Sequence, residues 1–180
     1  SDRKRSGRPE FDVIEGGPDR DITDHVKDGT DAAKALAAMK IAEPGFNVRE
    51  FLEGARGAYE MILMAFEKGD IEDVRGFLAP DVAETFDEVI EQRKAQGLSI
   101  DANFVGVREV TLTDATFDRD SNVGDVTVRL VAELTSVVRD AEGTIVEGNA
   151  NEIKRQRDTW TFSRQMGADD PNWLLVATGE

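Results

Sequence analysis

The stretch FLEGARGAYEMILMAFEKGD, residues 51–70, decides how the rest of this chain reads. Phe51, Leu52, Ala55, Tyr59, Ile62, Leu63 and Phe66 recur at helical spacing and form one broad apolar stripe. Asn47 is placed to cap the start, with Glu50 three residues later as a capping-box partner. Gly69 suits the left-handed position that ends a helix. The spacing therefore predicts a helix over about 48–68. Gly54 and Gly57 lie inside it, where each costs about 1 kcal/mol relative to Ala. That cost points to another element packed closely against them.

Working outward, the chain of 180 residues is expected to hold one domain with a tail. A second helix is predicted over Ile71–Leu78, with Asp70 as its cap. A third, over about 81–96, carries Val82, Phe86, Val89 and Ile90 on one side and stops at Gly97. The period then changes to two. Ser99 to Val110 and Thr111 to Asp118 read as extended, and Asn122-Val123-Gly124 as a turn. Asp125 to Arg139 alternates, with Val126, Val128, Leu130, Ala132, Leu134 and Val138 on one face. Ile153 to Arg164 and Trp173 to Thr178 complete an antiparallel sheet of about four strands. Three helices followed by such strands predict an α+β domain, a cone with helices laid on a curved sheet. Gly106 or Gly124 marks a bulge or bend in it.

Upstream, residues 1–30 are rich in Gly, Pro and charge and read as a weakly ordered tail. Phe11, Val13 and Ile14 are candidates for a short docked strand. Residues 31–45 form a helical extension: the Ala-rich run Asp31–Glu43, stopped by Pro44-Gly45, has a shallow apolar face and needs a surface to dock on. It is a candidate membrane-surface or partner-binding helix. The core domain is expected to span 46–180.

A net charge of −15 argues against general affinity for nucleic acid and is the mark of a soluble surface. The opening SDRKRSGRPE reverses it locally, with Arg3, Lys4, Arg5 and Arg8 against Asp2. The chain contains no cysteine, hence neither a disulfide nor a thiolate nucleophile or metal ligand. The longest apolar run, Met61 to Phe66, is far short of the roughly 20 residues that span a bilayer.

Chemistry-bearing motifs are sparse. His25 is the sole histidine and has no companion ligand. Asp118, Asp120 and Asp125 surround a turn without calcium-loop spacing. No glycine-rich phosphate loop or nucleophile elbow is present, and neither a metal nor a cofactor is expected. An acid–base site in an apolar pocket would use Tyr59, the sole tyrosine, with Asp87 or Asp158. Trp160, Phe162, Trp173 and Leu175 read as core, or else as the lining of a pocket or partner patch.

Four segments resemble the C-terminal domain of the mitochondrial inner-membrane translocase subunit forty-four family, and more closely its bacterial relatives. They are FLEGARGAYEMILMAFEKGDIEDVRGFLAPDVAETF at 51–86, NFVGVREV at 103–110, VTVRLVAELTSVVRDAEGTIVEG at 126–148 and DTWTFSRQMGADDPNWLLVAT at 158–178. The resemblance covers about 46–178. It implies a nuclear-transport-factor-two-like cone with an apolar pocket, for which Tyr59, Phe66, Phe86, Phe104, Leu130, Leu134, Trp160, Phe162 and Trp173 are the candidate lining. It also implies inner-membrane association and no enzymatic activity. SDRKRSGRPE resembles the basic stretch that follows a transmembrane helix in the bacterial relatives. On that likeness an anchor is expected upstream of Ser1, with the domain on the cytoplasmic side. Expected partners are membrane lipid, cardiolipin among them, or an inner-membrane protein. The Hsp70 chaperone docked by the mitochondrial relative is a further candidate, although the long N-terminal region it uses there is expected to be missing or much shortened in this protein. A small-ligand carrier or enzyme built on the pocket is the other alternative.

Overall fold

The structure is a computed structural model and describes residues 17–179. The basic cluster and the candidate strand at Phe11–Ile14 lie outside the described residues. A short helix α1 (Arg20–Thr23) precedes α2 (Asp31–Ala42) and the long α3 (Val48–Lys68). A 3-10 turn (Glu72–Phe77) and α4 (Pro80–Ala95) follow. Four strands come next, β1 (Ser99–Asp118), β2 (Val123–Arg139), β3 (Ile145–Gln165) and β4 (Leu174–Ala177). They pair in sequence order, all antiparallel. The architecture is the expected α+β one.

Helix α3 runs where its stripe predicts. Phe51, Leu52, Ala55, Tyr59, Ile62 and Leu63 are all buried against the sheet. Five large side chains among these, at roughly 1.5–3 kcal/mol each, outweigh the roughly 2 kcal/mol lost to two internal glycines. The sheet side is shared: Val126, Val128, Leu130 and Ala132 of β2 are fully buried in one cluster with Leu112 and Ala115 of β1 and Trp160 and Phe162 of β3. Gly69 closes the helix with φ +82° and returns its N–H to Ala65 and Phe66.

The start of α3 is capped twice. Asn47 Oδ1 accepts from the Glu50 amide at 2.9 Å. Asp21, from α1, accepts from the Val48 amide at 2.7 Å and the Arg49 amide at 3.2 Å. Lys40 of α2 then pairs with Asp21 at 2.8 Å and Asp19 at 2.8 Å. The structure thus differs from the reading of residues 17–30 as weakly ordered: Ile22 is in the core and Asp21 ties three helices together. Helix α2 finds its docking surface on the sheet. Leu36 and Met39 are fully buried, and Met39 lies so near Gly124 that a Cβ there would stand 2.8 Å from its sulfur. Gly124 therefore marks a close approach, not a bulge.

Other departures are local. The second predicted helix is a 3-10 turn, with Asp70 accepting from the Glu72 amide. Val89, assigned to the packed side of α4, is largely exposed. The two predicted extended segments over 99–118 are one bent strand, shifted in register at Phe104/Gly106, Val107/Glu109 and Leu112/Asp114. On β3, Lys154 faces Leu134 and Asn149 faces Ser136, so residues 150–153 stand opposite Thr135 alone. Strand β4 pairs only with 161–163, leaving the first part of β3 as a free edge where Ile145, Val146 and Ile153 are exposed.

Two outcomes follow from these termini. Burial alone would push the Asp21 carboxyl up, yet the bonds from Lys40 and from the amides of Val48 and Arg49 hold it below its ordinary value. A carboxyl depressed by folding stabilises fully above its unfolded pKa, and that contribution is lost as pH falls through the depressed folded value. Asp21→Ala should therefore cost about 1–2 kcal/mol at neutral pH and nearly nothing in strong acid, as read by denaturant melts across pH. Gly69→Val should cost about 1–2 kcal/mol in the same melts, because a β-branched residue resists the left-handed backbone.

Candidate functional site

Among the described residues, two hollows lie along α3 where it meets the sheet. The larger is an open groove of about 580 Å³ beside α3. Its floor is Gly54, Ala55, Gly57, Ala58 and Met61, and its walls are Phe46, Phe51, Phe77, Phe162 and Trp173. A Cβ built at Gly54 or Gly57 meets nothing within 4 Å. The expectation that another element packs on these glycines is thus overturned: they open the groove. Trp173 is half-buried, its ring 4.6 Å from Phe51 and 5.8 Å from Phe46. Glu43, Asn47, Glu50, Arg164 and Asn172 supply the polar rim.

One buried charge holds the far wall. Arg164 donates to the carbonyls of Asp170 (3.0 Å) and Ala168 (2.9 Å) and to Glu43 at 2.6 Å. Glu43 also accepts from the Gly167 amide at 2.7 Å. Burial would raise the Glu43 carboxyl, but the Gly167 amide and the Arg164 charge hold it below its usual range. This clasp fixes the turn from Met166 to Asn172 to the end of α2, and so fixes where Trp173 starts.

The second hollow, of about 260 Å³, is lined by Ile62, Leu63, Phe66, Phe86 and Trp160 together with Glu67, Gln156, Asp158, Thr178 and Gly179. Trp160 lies on the same face of β3 as Phe162 of the groove, 6.3 Å away. Buried Tyr59 sets its ring edge-on to Trp160 at 4.8 Å and donates its hydroxyl to Asp158 at 2.6 Å. Gln156 donates to the same carboxylate at 3.1 Å. Burial first, and then the bond to and charge of Asp158, push the Tyr59 hydroxyl far above its usual range. Burial also pushes the Glu67 carboxyl up, against the opposing charges of Lys154 and Arg93.

Of the two acids proposed to partner Tyr59, only Asp158 does so. Asp87 is held by Arg75 on the surface at 3.0 and 3.1 Å. The candidate lining residues divide. Phe162 and Trp173 line the groove; Phe66, Phe86 and Trp160 line the second hollow, with Tyr59 behind Trp160. Leu130 and Leu134 are fully buried in the sheet, and Phe104 packs against the core; none of the three lines either hollow. Sequence reasoning did not assign Met61, Phe77, Glu67, Gln156 or the Glu43–Arg164 clasp to a site. The signal for the groove was present, since two glycines inside a strong helix demanded a reason. Among the described residues no group of side chains is arranged to hold a metal ion, and no helix is long and apolar enough to cross a membrane.

The sequence profile of the Tim44-like domain matches residues 32–180. This chain belongs to that family. The match begins within α2, so the docked helix falls inside the family domain. Two relatives carry the name mitochondrial import inner membrane translocase subunit. The one from Arabidopsis thaliana is 21% identical over 162 residues, and that from Homo sapiens 23% over 167. Each alignment covers 87% of this chain but only 34% and 36% of the relative, so the chain spans about a third of their length. The intermembrane space region of the chloroplast protein ARC6 aligns over 71% of this chain and 93% of its own, at 11% identity and a TM-score of 0.48. The fold is the α+β, nuclear-transport-factor-two-like one that the family carries.

Since none of the described residues occupies the space above either glycine, Gly54→Ala and Gly57→Ala should each raise stability by up to about 1 kcal/mol, read as a later denaturant midpoint at unchanged slope. A loss of stability would show that the groove closes on itself in solution.

Proposed function

We propose that this Tim44-like domain is a non-enzymatic, membrane-associated scaffold that holds inner-membrane lipid or a membrane protein partner in the groove along α3. The observation that carries the reading is the unfilled floor at Gly54 and Gly57 between aromatic walls. Helix stability is given up there although, among the described residues, no neighbour stands within 4 Å of where either Cβ would be. An exposed apolar surface of this kind is where a partner buries area. The relatives' names support a place at an inner membrane, in protein translocation. On this reading the domain sits at the cytoplasmic face of a bacterial inner membrane, with Arg3, Lys4, Arg5 and Arg8 against anionic lipid and an anchor upstream. Each such cation is worth about 1 kcal/mol near the surface. The absence of catalysis is supported by Tyr59, whose proton stays on the hydroxyl at neutral pH and is donated to Asp158.

The chain's lack of cysteine permits a clean test. Gly57→Cys carrying a photoactivatable crosslinker should attach to lipid or to an integral membrane protein when the chain is bound to inner-membrane vesicles. Met61→Asp should reduce flotation with cardiolipin-containing liposomes at least about tenfold, because it places a charge on the apolar floor. Absence of both crosslinks, together with unchanged flotation of the Met61→Asp chain, would overturn the reading.

A further inference from the structure

The described chain starts at one end of the groove. Asp19 and Asp21 each hold Lys40 at 2.8 Å, about one helical turn before Glu43 of the groove rim. Asp21 also accepts from the amides of Val48 and Arg49, next to the lining residues Phe46, Asn47 and Glu50. Whatever precedes Gly17 is therefore tethered beside the N-terminal end of α3.

The sequence just before that tether matches the groove in reach and in chemistry. Phe11, Val13 and Ile14 form an apolar island, followed by Gly16-Gly17-Pro18. An extended chain spans at most about 3.3–3.6 Å per residue, so the stretch from Gly17 back to Phe11 reaches about 20 Å. Along α3 the rise from Asn47 to Gly57 is about 15 Å. Phe11 thus reaches the floor at Gly54 and Gly57, where no described residue stands within 4 Å of a Cβ. The side-chain carbons of the three apolar residues, at a water-sized share of about 30 Å³ each, need about 420 Å³. The groove offers about 580 Å³.

Charge favours the same seat for the residues further upstream. Glu50 on the rim is exposed, as are Asp169 and Asp170 just before the lining residue Pro171. Among the described residues of the lining the one cation is Arg164, and it is spent on Glu43 and on the carbonyls of Ala168 and Asp170. An acidic rim therefore faces the basic run of Arg3, Lys4, Arg5 and Arg8.

Given the reading of this groove as the binding surface, we propose that Phe11, Val13 and Ile14 of the same chain fill it in solution, and that an anionic membrane withdraws them by capturing the four upstream cations. Seated, the segment runs extended along α3. Phe11 and Val13 share one face and meet the floor, and Asp12 points away from it. A cardiolipin surface carries denser negative charge than the rim, and its pull fades within a Debye length, so release needs close membrane contact and weakens with salt. Arrival at the membrane and opening of the groove become one event.

The test uses full-length chains with paired cysteines, which the native sequence lacks. Val13→Cys with Gly57→Cys should form an intrachain disulfide under mild oxidant at least about tenfold faster than Val13→Cys with Glu142→Cys in the β2–β3 turn. Adding Phe11→Asp should bring the rate down to that of the control pair. Cardiolipin-containing vesicles at low salt should lower it at least about fivefold. A rate equal to the control, one unaffected by Phe11→Asp, or one undiminished by vesicles would each overturn the proposal. The two readings fail separately. If the Gly57→Cys crosslinker captures lipid or a membrane protein while no disulfide joins positions 13 and 57, the scaffold reading stands and the self-occupied groove falls. A disulfide that vesicles suppress, without any such capture, does the reverse.

Discussion

Everything in this domain depends on one face-to-face burial: the apolar stripe of α3 against the inner face of the sheet, with β2 at its centre. Val126, Val128, Leu130, Ala132 and Leu134 expose nothing to solvent, and Tyr59 and Ile62 expose nothing either. A sheet face this continuous must be covered along its length, and α3, at 21 residues, shares that task with α2, whose Met39 covers Gly124. The remaining helices act on α3. Helices α1 and α2 secure its start through Asp21 and Lys40, and Arg93 of α4 satisfies carbonyls at its end. The largest stabilising term and the capping terms thus act on the same element.

That arrangement explains why α3 has a hollow toward each end and why the two differ. Helix and sheet meet closely in the middle of α3, where Tyr59 contacts Trp160 and Ala55 lies buried. Space opens toward each end. At the N-terminal end the glycines keep the helix surface low, and Phe46, Phe51 and Trp173 surround an apolar trough. At the C-terminal end Glu67 and Asp158 enter the gap, and the space becomes polar. The Tyr59–Asp158 bond ties helix to sheet between the two.

Much of this was legible in the sequence. The periodicity of residues 51–66, the cap at Asn47 and the stop at Gly69 gave α3 its ends, and the alternation after Asp125 gave β2. What stayed illegible was remote pairing. Asp21 caps an amide 27 positions away, and nothing local to α1 announces it. Helix α2 shows little amphipathicity because alanine suffices where Gly124 lets Met39 reach the sheet backbone. Tyr59 and Asp158 are 99 positions apart, so the sequence offered Asp158 only as one of two acids. At Gly54 and Gly57 it supplied the right anomaly with two meanings of opposite sign, a tightly packed neighbour or an empty space. Only the surroundings of those two positions separate them.

The irregular pairing of β3 has a consequence for solubility. A long free sheet edge with Ile145, Val146 and Ile153 exposed would ordinarily invite a second strand to zip onto it. Here four successive residues, 150–153, crowd opposite Thr135, so the backbone donors and acceptors of that edge fall out of step with any regular incoming partner. The bulge acts as a built-in spoiler of fibre-like stacking. The domain can therefore leave Ile145, Val146 and Ile153 exposed without polymerising through that edge.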